Sequence, residues 1–152
     1  MKSKRVLVIR GSSGIGMAVA TGALAEGADV TIAGRTADRL DRASGVLCNV
    51  RAVQLDTSDV DGLAAFFETE EAFDHILVSA AQTPTGPLRR LGVADARAAM
   101  DSKFWGAYAV ARVAKIADRG SLTFVSGSSY FTGLPVWRAE EKAGTQRFLD
   151  ED

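Results

Sequence analysis

The sequence has very little cysteine and histidine. Its 152 residues include one cysteine, Cys48, and one histidine, His75. A single cysteine cannot form a disulfide within the chain, which points to a reducing compartment, the cytoplasm. A metal site needs more ligands than His75 and the adjacent Asp74 provide, so none is predicted. We expect Cys48 to be a small buried residue and His75 to lie at the surface or to cap an element.

The chain also lacks an excess of charge and any long apolar run. It has 18 Lys and Arg against 19 Asp and Glu, a formal net charge of −1 and a pI near 5.9. There is therefore no general positive field for a nucleic acid or an anionic membrane. No apolar stretch approaches the roughly 18 residues of a membrane span, and Val6–Ile9 is too short for a signal peptide. Neither a nucleic acid nor a membrane is expected as a partner.

Short apolar runs alternate with helical segments along the sequence. The composition is 47% hydrophobic, which is enough to bury the core of one globular domain of this length. The central runs are continuous rather than alternating with polar residues, as in strands covered on both faces of a parallel sheet. The sequence therefore predicts an open, doubly wound, Rossmann-type α/β sheet. The five predicted strands are Val6–Ile9, Val30–Ala33, Val50–Leu55, Ile76–Val78 and Leu122–Val125.

The predicted helices lie between these strands. They cover Met17–Ala28, a polar segment from Thr36 to about Gly45, a segment capped by Ser58, and residues 95–117. The third helix has an apolar stripe at helical spacing, formed by Val60, Leu63, Ala64 and Phe67. In the fourth helix, one face is formed by Met100, Phe104, Ala107 and Ala111. Phe104 and Trp105 could lie in the core or pack against a second subunit.

The periodicity weakens near the end of the chain. Breakers and an acidic end occur after residue 127, and no sixth strand is found there. We therefore expect a nucleotide-binding domain over 1–127 and an irregular segment over 128–152, with the sheet truncated after about five strands.

A glycine-rich turn separates the first strand from the first helix. A helix N-terminus carries a partial positive charge and unpaired N–H groups, so a turn that brings a ligand close to it can bind a pyrophosphate. Gly14 and Gly16 lack the Cβ that would hold a ligand away, and Ser12 and Ser13 can add hydroxyl donors or cap the helix. A tight turn without a ligand is the alternative.

The segment from Val8 to Gly16 resembles the cofactor loop of the short-chain dehydrogenase/reductase family, whose pattern is Thr-Gly-x-x-x-Gly-Ile-Gly. Gly14 and Gly16 match the last two glycines, whereas Arg10 stands at the first. An arginine there either enters the cofactor space, swings out to a phosphate, or forms a surface ion pair. The resemblance implies that the loop is a cofactor site, with the residues Gly11, Ser12, Ser13, Gly14, Ile15 and Gly16.

The end of the second strand indicates which cofactor is bound. An acidic residue there would hold the ribose hydroxyls of NAD and repel a 2′-phosphate. The chain has Gly34 and Arg35 instead, which favours NADP, although Arg35 could equally pair with Asp38 at the surface. Asp56 and Thr57 resemble the family's adenine-contacting pair, although Asp56 could also be a helix cap.

Two further segments depart from the family pattern. After the fourth strand, Ser79 to Gln82 replaces the usual Asn-Asn-Ala-Gly, and there we assign Ala80 and Ala81 to the cofactor site. In the long helix, Lys103 stands where the family has an asparagine.

The resemblance also implies a catalytic pair, Tyr-x-x-x-Lys, that this sequence does not provide. Tyr108 is followed four residues later by Arg112, and Tyr130 by Leu134. We expect Tyr108 to pack in the core, and we assign no catalytic residue. The strand-end serine is shifted as well, since Ser126 is followed by Gly127.

The resemblance implies an NADP(H)-binding domain of an oxidoreductase acting on a small carbonyl or alcohol, with little or no activity in this chain. A non-catalytic nucleotide-binding or interaction module and an inert truncated fragment remain as alternatives. Members of the family commonly pair through the helix at 95–117, so a homo-oligomer through that helix is implied.

Overall fold

The computed structural model describes residues 1–79 and 89–126. Within these residues five parallel strands form one sheet in the spatial order β3-β2-β1-β4-β5. This is the doubly wound order in which the chain leaves β1 toward one edge and later returns to its other side. The predicted fold class is confirmed. The elements are β1 (Arg5–Ile9), α1 (Gly14–Ala25), β2 (Asp29–Gly34), α2 (Ala37–Leu47), β3 (Arg51–Gln54), α3 (Val60–Thr69), β4 (Phe73–Val78), α4 (Val93–Met100), a π-helical turn (Asp101–Trp105), α5 (Gly106–Val113) and β5 (Ile116–Phe124).

The core consists of two apolar layers, one on each face of the sheet. On one face α1 and α2 cover β1 and β2, where Val8, Val30 and Ile32 are fully buried. On the other face α3 and α5 pack against β1 and β4 through Phe67 and Val110. Because β1 and β2 are covered on both faces, they are continuous apolar runs, as expected from the sequence.

The predicted long helix at 95–117 is not one regular helix. It is divided into α4, the π-helical turn and α5, and β5 already begins at Ile116. A π-helical turn holds an extra residue and so rotates the helix before it relative to the helix after it. Met100, Phe104 and Trp105 are 54%, 52% and 55% exposed, so the core alternative for Phe104 and Trp105 is wrong. The buried residues of α5 are Gly106, Ala109 and Val110.

Three local predictions are corrected. Asp59 rather than Ser58 is the N-cap of α3, and its carboxylate accepts a hydrogen bond from the Gly62 amide at 2.9 Å. Cys48 is exposed rather than buried, because it lies just past the end of α2 with a positive φ of 49°. Tyr108 is 54% exposed and contacts the edge of Trp105 instead of packing in the core.

Ion pairs tie together the amino-terminal edge of the sheet. The Glu70 carboxylate, whose side chain is only 8% exposed, accepts hydrogen bonds from Arg51 at 2.6 Å and Arg5 at 2.9 Å. The bond from Arg51 is the largest of the effects that hold the pKa of Glu70 below its ordinary value. The Arg5 guanidinium also lies 4.6 Å from the centre of the Phe73 ring. Glu70 therefore links β1, β3 and the start of β4.

Replacing Glu70 tests this link. Glu70→Gln is expected to lower the free energy of unfolding at pH 7 by about 1–2 kcal/mol, because two guanidiniums lose a charged acceptor. Urea denaturation measures the difference. Since the folded-state pKa is lowered, this contribution is present above the unfolded glutamate pKa of about 4.3 and is lost as pH falls through the folded value.

The neighbouring Glu71 supplies the control. Its side chain is 90% exposed and lies 3.9 Å from Arg5, so Glu71→Gln should change the free energy of unfolding far less. Equal effects of the two substitutions would contradict the role given to Glu70.

Candidate functional site

The turn after β1 holds the first turn of α1 against the end of the strand. Gly16 is buried, and a Cβ there would collide with the Arg10 carbonyl oxygen and lie 2.8 Å from the Ser79 hydroxyl. Gly11 is buried against Ile32 and shapes the turn. These contacts place the N-terminus of α1 at the carboxyl-terminal edge of the sheet, where α/β proteins bind nucleotides.

Among the residues that the structure describes, no side chain caps the N-terminus of α1. Ser13 is its N-cap residue, but the Ser13 hydroxyl makes no capping hydrogen bond. Gly14 has a left-handed φ of 54°, and among the described residues nothing lies within 4 Å of where its Cβ would stand. Ile15 is 59% exposed. The first N–H groups of α1 therefore have no side-chain acceptor within residues 1–79 and 89–126 and can donate to an anion.

Arg10 takes up the backbone conformation that glycine favours. Its φ is 62°, and its amide donates to the Ala33 carbonyl at 2.6 Å. The Ser79 hydroxyl donates to the carbonyl oxygens of Ile9, at 3.3 Å, and Arg10, at 3.4 Å. Ser79, which stands where the family has an asparagine, thus ties β4 to the glycine turn. The backbone of Arg10 is fixed on both sides.

A cavity of about 270 Å³ lies at the carboxyl-terminal ends of β1, β2 and β3. It brings together Arg35, Asp56 and Thr57, three of the residues assigned to the cofactor site from the sequence, and adds the half-buried Arg10. The other residues that line it are Ile9, Gly34, Leu55, Ser58, Ala98, Asp101 and Ser102. Two guanidiniums and two carboxylates therefore surround this space.

Asp56 is ionised and held in place within this cavity. Burial by itself would raise the pKa of Asp56, but hydrogen bonds from the Ser58 amide at 3.0 Å and hydroxyl at 2.8 Å, with the charge of Arg35, bring it below its ordinary value. The helix-cap alternative for Asp56 is wrong, because Asp59 caps α3. The Asp56 carboxylate therefore acts as a hydrogen-bond acceptor at the cavity wall.

Ser12 and Ser13 do not line that cavity. They face α2 across a second cavity of about 290 Å³, together with Arg39 and Arg42. The residues predicted for the cofactor site are thus divided between two cavities, with Arg35, Asp56 and Thr57 in the first and Ser12 and Ser13 in the second. Arg39 and Arg42 were not among the predicted site residues. Their i, i+3 spacing on a predicted polar helix is the sequence signal that could have indicated them.

The contribution of the π-helical turn to the first cavity has no signal in the sequence. Asp101 and Ser102 lie in this turn and line the cavity. Gly106 lets α5 approach the loop after β3, since a Cβ there would lie 2.9 Å from the Thr57 hydroxyl. Helix periodicity alone cannot foresee an extra residue in a turn.

Several predicted positions lie outside the described residues. They are Ala80, Ala81, Gln82, Tyr130 and the segment 128–152. Of the described positions, Lys103 stands where the family has an asparagine, and its ammonium donates to the Val125 carbonyl at 3.1 Å. The His75 ring lies 2.9 Å from the Ser121 hydroxyl, and no group of metal-binding side chains occurs within residues 1–79 and 89–126.

A parallel sheet whose first strand turns through glycines into an uncapped helix is typical of nucleotide-binding α/β proteins. The sequence model of the short chain dehydrogenase family matches residues 4–139. The chain belongs to this family. None of the described helices has the length and apolar character needed to cross a membrane.

Individual relatives agree with the family assignment. An NADP-dependent (R)-specific alcohol dehydrogenase of Lentilactobacillus kefiri is 43% identical over 77 residues, which are 48% of this chain and 31% of that enzyme. A short-chain type dehydrogenase/reductase from Mycobacterium ulcerans is 26% identical with a TM-score of 0.76, over 84% of this chain and 52% of its own. BdcA in complex with NADPH is 22% identical with a TM-score of 0.75, over 84% and 53%. The chain thus spans about half the length of these solved structures.

The backbone of Arg10 yields a prediction about stability. A left-handed conformation costs an L residue more than it costs glycine, so Arg10→Gly should be more stable than Arg10→Ala by about 1 kcal/mol. Both variants lack the guanidinium, so their difference isolates the backbone. Urea denaturation of the two proteins measures it.

Arg97 within α4 provides the matched pair of controls. In a right-handed helix the order is reversed, with Arg97→Gly less stable than Arg97→Ala by about 1 kcal/mol. If alanine were the more stable residue at position 10 as well, the conformation assigned to the turn would be wrong.

Proposed function

We propose that this chain is an NADP(H)-binding domain of an oxidoreductase that acts on a small carbonyl or alcohol. The observation that carries the proposal is the uncapped N-terminus of α1, which a glycine turn exposes at the carboxyl-terminal edge of the sheet. The pyrophosphate would lie on Ser12–Gly16 and accept hydrogen bonds from the first amides of α1. The adenine would lie beside Asp56 and Thr57, and Arg35 would face the 2′-phosphate.

The preference for NADP over NAD rests on charge at the end of β2. Gly34 carries no carboxylate that would repel a 2′-phosphate, and the next residue is the arginine at position 35. The alcohol dehydrogenase relative is named as NADP-dependent, and BdcA was solved with NADPH. These names support the same cofactor for this chain.

We also propose that the chain alone has little or no dehydrogenase turnover. Reduction of a carbonyl needs a proton donor at the oxygen, and general acid catalysis contributes typically about 10²–10⁴-fold. Tyr108 is exposed on α5 with Arg112 four residues later, so it does not form the family's pair. A module that binds nucleotide without redox chemistry is therefore the second candidate function.

Coenzyme binding tests the proposal at Gly14. NADPH is expected to raise the melting temperature of the chain, because a ligand that binds only the folded state stabilises it. Gly14→Asp should abolish this shift by placing a carboxylate at the phosphate site. Gly14→Asn has nearly the same shape, tolerates a left-handed φ, and should retain part of the shift. Differential scanning fluorimetry measures both.

Two results would contradict the proposal in different ways. If NADPH left the melting temperature of the wild-type chain unchanged, the proposal that the chain binds the coenzyme would be wrong. Steady oxidation of NADPH by the purified chain with a carbonyl substrate, lost in Gly14→Asp, would show that it is active after all.

We further propose that the chain self-associates through α4 and α5. Phe104, Trp105 and Tyr108 are 52–55% exposed and form a row of edge-to-face ring contacts, with centroids 5.0 and 5.9 Å apart. Exposed aromatic clusters of this kind mark contact surfaces. The row is continuous with the helix through which the family resemblance implies pairing.

Sedimentation velocity tests the association. The wild-type chain is expected to sediment as an oligomer. The Trp105→Ser variant should sediment closer to the monomer, because the substitution removes the central ring of the row. Val60→Ser, at an exposed apolar position on α3, should leave the distribution unchanged. A monomeric wild-type chain at micromolar concentration would refute the proposal.

A further inference from the structure

The cavity between the glycine turn and α2 has a charge unlike that of the adenine-side cavity. Arg39 and Arg42 line it with the hydroxyls of Ser12 and Ser13, and none of its lining residues is acidic. Arg35, in contrast, shares its cavity with Asp56 and Asp101. The α2 cavity therefore has a net positive lining, whereas opposite charges balance around Arg35.

The two α2 arginines are available to a ligand. Both are exposed, and within the described part of the chain neither forms an ion pair. The Nε of Arg42 donates to the Asp38 backbone carbonyl at 3.1 Å, which fixes one side of the guanidinium and leaves its two terminal nitrogens to donate elsewhere. The carboxylates of Asp38 and Asp41 are on the same helix but do not line the cavity.

The mouth of this cavity adjoins the end of β2. The Ser12 hydroxyl lies 3.9 Å from where a Cβ at Gly34 would stand. A carboxylate at residue 34 would project beside Ser12 and repel an anion there. Because this chain has glycine at position 34, no carboxylate there opposes an anion, and the Ser12 hydroxyl and the arginines of α2 can surround a phosphate monoester.

We propose that Arg39 and Arg42, rather than Arg35 alone, determine the preference of this chain for a coenzyme with a phosphate monoester on its adenosine ribose. The inference rests on the proposed function, since it requires the adenosine to lie at the end of β2. The planar guanidinium groups donate to the phosphate oxygens in pairs, and Ser12 and Ser13 donate from the opposite wall. Met17, Ala43 and Val46 supply the apolar part of the lining.

Calorimetry with adenosine 2′,5′-bisphosphate and AMP tests the inference, because the two probes differ in the 2′-phosphate. The measured quantity is the ratio of their affinities. Arg39→Gln and Arg42→Gln should each lower this ratio about tenfold, the usual order of a charge-assisted hydrogen bond. Arg39→Lys should lower it less, since the charge remains but the paired donors are lost.

Lys2→Gln is the charge-matched control. Lys2 is exposed beside the amino-terminal end of β1, at the opposite edge of the sheet, so the ratio should not change. All of these substitutions replace exposed side chains, so the variants should fold, and their melting temperatures without ligand check this.

The contrary results are distinct from failure of the proposed function. A ratio that falls with Arg35→Gln but not with the α2 variants would overturn the inference, as would equal affinity for both probes, and in both cases nucleotide binding would stand. If inorganic phosphate bound as tightly as the bisphosphate, the cavity would be a general anion site, and this result would also overturn the inference. Binding of neither nucleotide would remove the inference together with the proposed function.

Discussion

The close approach of α1 to the end of β1 is the contact on which the site depends. Gly16 lies directly against the Arg10 carbonyl, and the Ser79 hydroxyl bonds to the same end of β1. Any side chain at position 16 would push the helix away from the sheet edge. With the helix in this place, one region of the sheet edge is surrounded by the first amides of α1, the Asp56 carboxylate and the arginines around Gly34. Main-chain geometry thereby produces a candidate coenzyme site.

The two edges of the sheet have different physical roles. At the amino-terminal edge Glu70 is nearly buried between two guanidiniums, so its charge is used within the fold. At the carboxyl-terminal edge Arg39 and Arg42 form no ion pair within residues 1–79 and 89–126, and the N-terminus of α1 has no side-chain cap. Polar groups that a fold leaves unpaired at one edge are those available to a ligand. Stability and binding are therefore separated along the strands.

The order of strands and helices could be predicted from the sequence because buried parallel strands are continuous apolar runs and the glycine turn has a recognisable spacing. Side-chain positions around 95–117 could not. A π-helical turn adds one residue, and whether it forms depends on tertiary packing. The sequence therefore left open whether Phe104 lies in the core, and the structure shows it 52% exposed. The placement of the predicted site residues in two separate cavities could not be predicted either, since it depends on where α2 packs. The exposure of Cys48 could not be predicted either, because it depends on where α2 ends and not on the hydrophobicity of the residue.

The central claim is that the bare amides at the start of α1 hold the coenzyme pyrophosphate. Amide chemical shifts recorded by two-dimensional NMR while NADPH is added test it most directly. We expect the signals of Gly14, Ile15 and Gly16 to move most, together with that of Ser13. Signals from this loop that stay unchanged at saturating coenzyme, while others move, would contradict the claim.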